Sequence, residues 1–314
     1  MRETKITRES KIYVAGHRGL LGSAVVRRLQ KAGYKNLLLR TSAELDLTDQ
    51  SSTYAFLAQE RPEFVFLCAA KVGGIKANME APGDFLFRNL AIQNNVIEGA
   101  RRAGVAKLLF VGSSCIYPKA ISTAILEEQL LTGPLEDTNE GYAVAKIAGI
   151  KLCQFYRRQH GCDFISAIPT NLFGIADNFD LNTGHMLPAM IHKVHLLKGK
   201  SDAQLNVWGS GRPRREFMLS DDCAEALLFL MENYSSEEPV NVGTGKDATI
   251  LELVETILST LEVKAKIVLD SSKPDGMMKK LLDVTKLRKL GWESKISLED
   301  GIRVAYQDFV SRQQ

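Results

Sequence analysis

A chain of 314 residues, 45% hydrophobic and 25% charged, has the make-up of a globular protein and the length of one large domain or two closely joined ones. Its net charge of +3 gives no electrostatic case for a nucleic-acid or membrane partner. Cys68, Cys115, Cys153, Cys162 and Cys223 are scattered, with no Cys-x-x-Cys pair or Cys/His cluster at metal-ligand spacing. That pattern predicts no metal, and reduced thiols in a reducing compartment such as the cytoplasm.

Residues 1–10 are charged and lack an apolar core, so they read as a short disordered head rather than a secretory signal. Nothing later in the chain approaches a membrane-spanning run. Residues 11–15 form a first predicted strand, and Gly16-His-Arg-Gly-Leu-Leu-Gly22 follows it directly. Leu20, Leu21, Ala24, Val25 and Leu29 then recur at helical spacing. The glycines therefore lie on a strand-turn-helix, the context of a dinucleotide-binding fingerprint. Gly16 permits the tight turn, Gly19 lets backbone N–H groups approach a pyrophosphate, and Gly22 lets the helix pack on the sheet.

The next strand is predicted at 36–40. An acidic residue at its end would bond the ribose 2′-hydroxyl of NAD. Arg40 stands there instead, and Arg18 lies within the glycine loop. Basic residues at these places favour the 2′-phosphate of NADP, although each also reads as a solvated surface charge. Asp46 is placed to contact the adenine, and Asp49 to cap a helix at 50–59. A buried strand at 63–70, a glycine-rich loop at 71–76 and a long helix at 84–103 lead to the apolar strand 107–111. Gly112, Ser113, Ser114 and Cys115 follow it, where an open parallel sheet binds its ligands. From the residues alone this is either a serine-rich turn with one buried thiol or a polar cluster facing a substrate.

An irregular stretch reaches Glu140. A helix running to about residue 160 then carries Tyr142 and Lys146 four residues apart, on one face. Residues 163–168 are a further strand, ending at Pro169-Thr-Asn-Leu172. Beyond it the alternation weakens: a polar loop at 177–184, a helix at 186–197, a Gly/Arg-rich loop at 207–217, a strand at 239–243, a helix at 249–261, a strand at 264–269, a turn at 273–276 and a closing helix at 298–310. Strand-helix alternation predicts an α/β fold with a Rossmann-type doubly wound parallel sheet. A smaller α/β substrate domain is interwoven with it. The expected division is a dinucleotide-binding domain at 11–174 and 218–247, and a substrate-binding domain at 175–217 and 248–314.

With Gly-x-x-Gly-x-x-Gly, the serine at the strand end and Tyr-x-x-x-Lys in that order, the chain resembles the extended short-chain dehydrogenase/reductases. Longer runs narrow the resemblance. Ala70-Lys-Val-Gly-Gly-Ile75, Gly112-Ser-Ser-Cys-Ile-Tyr-Pro-Lys119, Ala145-Lys-Ile-Ala-Gly-Ile-Lys151, Val207-Trp-Gly-Ser-Gly211 and Lys273-Pro-Asp-Gly276 look like the GDP-L-fucose synthases. These are 3,5-epimerase/4-reductases that convert GDP-4-keto-6-deoxy-D-mannose to GDP-L-fucose.

The resemblance implies NADP(H), a GDP-sugar substrate, a homodimer and no metal. It places the reductase triad on Ser113, Tyr142 and Lys146, and the epimerising pair on Cys115 and His185. It places substrate contacts on Lys193, Trp208, Arg215 and Asp275. Cofactor contacts fall on Gly16, His17, Arg18, Gly19, Leu20, Leu21 and Gly22, and on Arg40, Asp46, Leu47, Ala69, Val111, Gly112 and Ser114. Lys146, Pro169, Thr170, Asn171, Leu172 and His185 complete the set. The residue types suit the chemistry: Cys and His, with unperturbed pKa values of about 8.5 and about 6.5, both exchange protons near neutrality. Cys68, Cys153 and Cys223 lie in strand or helix patterns and read as core thiols.

Several positions depart from the pattern. Ser42 stands where a second arginine is common, and Lys193 where arginine is common, which loses a bidentate fork. Ile175, Gly184, the Leu219-Ser-Asp-Asp222 run and Met277-Met278-Lys279 differ as well. The alternative these departures leave is a related sugar-nucleotide 4-epimerase or reductase acting on a different nucleotide sugar.

Overall fold

The computed structural model describes residues 5–313 except 182, 274 and 276. The disordered head expected at 1–10 falls partly outside that range. Within it, the amide of Ser10 donates to the Thr7 carbonyl, and the Arg8 guanidinium lies 4.4 Å from the centre of the Tyr34 ring.

The first half alternates as its periodicity requires. Strand β1 (Ile12–Ala15) leads to helix α1 (Leu20–Lys31), β2 (Leu37–Leu38) to α2 (Gln50–Glu60), and β3 (Phe64–Leu67) to α3 (Ile75–Glu80) and α4 (Pro82–Ala103). Next come β4 (Lys107–Val111), α5 (Glu140–His160), β5 (Asp163–Pro169) and the short β6 (Asn171–Phe173). Asp49 caps α2 as expected, its carboxylate accepting from the Ser52 amide at 2.6 Å. Two differences arise here. Strand β2 is much shorter than 36–40. The segment that reads as a glycine loop enters α3, because Gly74 can serve as an extended N-cap.

The second half is finer-grained than its composition suggests. Helix α6 (Met186–His195) precedes β7 (Gln204–Trp208), β8 (Arg214–Arg215), β9 (Phe217–Leu219) and α7 (Ser220–Asn233). Strands β10 (Val240–Val242) and β11 (Ala248–Thr249), helix α8 (Ile250–Thr260), β12 (Lys266–Asp270), β13 (Lys279–Lys280), α9 (Thr285–Leu290) and α10 (Leu298–Ser311) complete the chain. The Gly/Arg-rich stretch thus holds three strand segments rather than a loop. Helix α7 escapes a periodicity search because it is buried on more than one face, Ala224, Ala226, Leu227, Leu228, Leu230 and Met231 all being inside. The turn expected at 273–276 includes Pro274 and Gly276, which lie outside the described residues.

The main sheet has the strand order β10-β5-β4-β3-β1-β2, with every neighbouring pair parallel. The fold is the doubly wound α/β sheet expected from the alternation. Its order reverses between β1 and β3, which opens a crevice at the carboxyl ends of those strands. One core covers the face under α1 and α7; a second lies under α2, α4 and α5. A third joins α6, α8 and α10 with the inward side chains of β7. Apolar burial on both faces is what holds so continuous a parallel sheet.

Candidate active site

The glycine loop closes the crevice on one side. Gly16 has φ +81°, and a Cβ on it would lie 2.7 Å from the Ala69 Cα at the exit of β3. A Cβ on Gly22 would lie 2.1 Å from the Gly16 carbonyl oxygen. Gly19 differs: its Cβ would meet only the Gly16 oxygen, at an ordinary 3.4 Å. Nothing inside the chain forbids a side chain there, so the glycine keeps space open on the outer side. Gly19 caps α1 without a side-chain bond, and no acidic residue stands in the first turn. The free N–H groups and the positive end of the helix dipole therefore fit a dinucleotide pyrophosphate. Leu20 and Leu21 form that first turn. His17 sits half-buried in the loop with Nδ1 unpartnered, and burial and the adjacent Arg18 hold its pKa below the ordinary value.

At the ribose end the two arginines differ. The Arg40 guanidinium is turned to the Leu39 carbonyl and to Glu60, at 3.2 Å, and lies 5.4 Å from the centre of the Phe56 ring. It is engaged with α2. Arg18 is exposed and has no ion pair among the described residues. Asp46 accepts from the amide and hydroxyl of Thr48, which closes the turn beside Leu47.

At the end of β4 the chain turns through Gly112 into a single 3₁₀ turn, Ser114–Ile116. The Gly112 amide donates to the Ala167 carbonyl at 2.7 Å, so this turn is anchored to the neighbouring strand. Ser113 caps it, leaving Ser114 inside and Cys115 with 7% of its surface exposed. Tyr142 and Lys146 approach from α5. Burial, the largest effect, and the nearby Cys115 push the Tyr142 phenol well above its ordinary pKa; a hydrogen bond with Ser113 pulls the other way. Lys146 is 2% exposed, and its ammonium donates to the Val111 carbonyl at 2.8 Å and lies 5.8 Å from the Tyr142 ring centre. Burial pulls its pKa down to about 8, opposed by Cys115 and Cys68. Ser113, Cys115, Tyr142 and Lys146 thus form one cluster. Beside it, Thr170 and Asn171 follow Pro169 and hydrogen-bond the Glu216 carbonyl, while Leu172 pairs with Met218.

His185 arrives on a separate element, as the residue capping α6. Its loop docks where a Cβ on Gly74 would lie 3.8 Å from the Thr183 oxygen and 3.9 Å from the Gly184 oxygen. Its side chain is exposed by area, yet the surrounding chain removes enough water from the ring to lower its pKa. Lys193 lies about two turns further along α6.

The expected substrate residues behave differently from one another. Arg215 is half-buried on β8, and its Cα pairs with that of Lys280 on β13. Both cations are held below their ordinary pKa by burial. Lys280 also feels Cys115, Arg215 and Glu136, so these four groups share a neighbourhood. Lys280 was not among the expected site residues. Its alternation on a two-residue strand inside a lysine-methionine run is too short a signal to separate it from Lys279. Trp208 closes β7 with 68% of its surface exposed, and the Lys273 ammonium lies 5.7 Å from its ring centre. The Asp275 carboxylate is occupied, accepting from the Ser210 amide at 2.6 Å and its hydroxyl at 2.8 Å. It shapes the turn beside Trp208. Of the three cysteines read as core thiols, Cys153 and Cys223 are buried and Cys68 is half-buried; burial pushes Cys68 and Cys153 up to about 12, and Cys223 up as well.

Chemically, the site offers a phenol, a hydroxyl, a thiol and an imidazole for proton movement, with a half-buried cationic pair for an anion. Residues 12–243 match the model of the NAD dependent epimerase/dehydratase family. The chain is 55% identical over 302 residues to the putative GDP-L-fucose synthase 2 of Arabidopsis thaliana, covering 96% of this chain and 92% of that one. It is 47% identical over 314 residues to the GDP-L-fucose synthase of Escherichia coli (strain K12), covering 97% and 98%. A solved GDP-L-fucose synthetase from Naegleria fowleri bound to NADP has a TM-score of 0.91 at 33% identity, covering 100% of this chain and 98% of that one. Glycine loop, strand-end cluster and full-length similarity agree: the chain belongs to the NAD dependent epimerase/dehydratase family of extended short-chain dehydrogenase/reductases, within its GDP-L-fucose synthase group.

Proposed function

We propose that the chain is an NADPH-dependent 3,5-epimerase and 4-reductase that converts GDP-4-keto-6-deoxy-D-mannose to GDP-L-fucose. The observation that carries this reading is the nearness of the Cys115 thiol to Tyr142 and Lys146: a carbon acid-base group sits beside a carbonyl reductase triad. The C4 ketone acidifies the protons on C3 and C5. Cys115 and His185 serve as acid and base on opposite faces of the sugar. Ser113 and Tyr142 donate to the enolate oxygen. NADPH, when bound, supplies the hydride for C4. Tyr142, kept as a phenol by burial, gives its proton to the C4 oxygen, and the Lys146 charge then favours the phenolate. Arg215 and Lys280 hold the diphosphate, and Trp208 offers a face for the guanine.

The direct test is incubation with GDP-4-keto-6-deoxy-D-mannose and NADPH. Oxidation of NADPH with release of GDP-L-fucose is expected; its absence overturns the reading. Cys115→Ser is expected to abolish solvent-deuterium incorporation at C3 and C5, and unaltered exchange at both carbons removes Cys115 from the mechanism.

The reading includes a homodimer in the cytoplasm, where Cys115 stays reduced. Phe87 on α4, with Val144 and Phe155 on α5, leaves apolar surface exposed on two helices joined by the Gln93 amide donating to the Ala145 carbonyl. Light scattering on a Phe87→Glu, Phe155→Glu double variant tests it, with a monomer expected. Among the described residues no helix is long and apolar enough to cross a membrane.

A further inference from the structure

Arg215 is followed in the chain by Glu216, whose side chain has no exposed surface. An ionised carboxylate in such a place is costly unless donors surround it. Here they do. Oε1 accepts from the Thr244 amide at 2.6 Å, the Gly245 amide at 2.7 Å and the Thr244 hydroxyl at 3.2 Å. Oε2 accepts from the Leu282 amide at 3.0 Å. The backbone carbonyl of the same residue accepts from the Asn171 side-chain amide at 2.8 Å and the Thr170 hydroxyl at 3.3 Å. Gly243 is shaped by this arrangement, since a Cβ there would lie 2.4 Å from Oε1.

Three distant segments therefore meet on one residue. Thr170 and Asn171 leave β5 at the cofactor end of the crevice. Thr244 and Gly245 leave β10 of the main sheet. Leu282 stands two residues beyond Lys280. Glu216 itself adjoins Arg215, so both cations of the diphosphate site are one or two residues from its bonds. A surface-free carboxylate with its oxygens satisfied cannot touch substrate; its reach is through what it holds.

We infer that Glu216 is a positioning residue: it fixes Arg215 and Lys280 against the main sheet and so sets the diphosphate anchors at a constant distance from the cofactor end of the crevice. The inference rests on the proposed reading that those two cations hold the diphosphate. A substitution at Glu216 should loosen the diphosphate site and leave the glycine loop untouched. A residue that served stability alone would not divide the two ligands in this way.

The test uses the full chain and two probes, GDP by calorimetry and NADPH by its fluorescence. Glu216→Gln keeps the shape but replaces one oxygen with a donor, which must face either the Thr244–Gly245 amides or the Leu282 amide. One charge-assisted bond lost corresponds to roughly a tenfold change in affinity. The expected result is a dissociation constant for GDP raised about tenfold, with that for NADPH changed less than about twofold. Should this variant fail to fold, Glu216→Asp, which keeps the charge but is one methylene short of spanning both donor sets, is expected to give the same split. A lowered melting temperature with unchanged GDP affinity overturns the inference, and so does an equal loss for both ligands. If the unaltered protein binds NADPH but not GDP, the diphosphate reading falls, and the inference with it.

Discussion

On the proposed reading, the 2′-phosphate of NADP is held by Arg18. Of the two guanidiniums near the ribose end, Arg40 is turned to Glu60 and stacked on Phe56, while Arg18 has no ion pair among the described residues. Arg18→Met removes a charge-assisted contact worth roughly 1.5–3 kcal/mol, or about ten- to a hundredfold in affinity. The dissociation constant for NADPH should rise by that factor, and that for NADH should barely change. Arg40→Met should leave both dissociation constants nearly unchanged. The Arg40–Glu60 pair is partly solvated, with side chains 36% and 22% exposed, so its loss should cost only about 0.5–1 kcal/mol of stability and leave the NADPH/NADH ratio intact. Ser42→Arg, restoring a second fork, should tighten NADPH by roughly tenfold. Fluorescence titration of each variant with both cofactors measures all three, at low and at high salt, because an exposed phosphate contact weakens as salt rises. An NADPH affinity that falls as far in Arg40→Met as in Arg18→Met would refute the assignment.

Asp177 gives a pH signature. Its side chain is buried with Oδ2 unpartnered, and burial pushes its carboxyl up to about 6. A carboxyl whose folded pKa is raised costs stability when ionised. The cost is absent below about pH 4, grows as pH rises and is complete above about pH 6, at roughly 3 kcal/mol. Asp177→Asn should therefore raise the urea midpoint at pH 7.5 and leave it nearly unchanged near pH 4. Gly22→Ala places a Cβ 2.1 Å from the Gly16 oxygen and should abolish NADPH binding, as read by fluorescence titration. Arg312 donates to the Asp177 carbonyl at 2.9 Å, pairs with Asp308 and lies 5.6 Å from the Phe179 ring centre, in the loop leading to His185. Arg312→Ala should slow deuterium exchange at C3 and C5 by about tenfold while NADPH affinity stays within twofold.

What could be read from the residues was what local geometry enforces. Gly16 needs a positive φ and Gly22 has no room for a Cβ, so the turn between strand and helix announces itself. Tyr142 and Lys146 share a helix face, and an apolar strand ending in Ser113 places a hydroxyl at the ligand edge of the sheet. Features set by distant partners stayed hidden. The position of Arg40 suggests a phosphate ligand, but residue type says nothing of the competing Glu60 on α2. Nor does residue type announce that the Asp275 carboxylate accepts from Ser210. Lys280 comes beside Arg215 because β13 pairs with β8, whose two residues lie far away in the sequence. Glu216 is a lone acid in an arginine-rich run until three segments converge on it.

The two proposed chemistries differ in how firmly their groups are held. Ser113 and Cys115 share one turn that continues β4, with Ser114 and Ile116 packed inside and Gly112 bonded to β5. Tyr142 and Lys146 sit on a long helix, and Lys146 is bonded back to Val111 on the same strand. The groups for reduction, and one of the two for epimerisation, are thus fixed by the sheet itself. His185 caps α6 at the end of a loop tied to α10, where Asp308 accepts from the Ala176 amide at 3.1 Å and Arg312 donates to the Asp177 carbonyl. A network of polar contacts at a chain end is the kind of element that opens locally at low cost. On the proposed reading, damage away from the crevice is expected to fall first on proton exchange at carbon, through His185, and only afterwards on reduction, whose groups sit against the central strands.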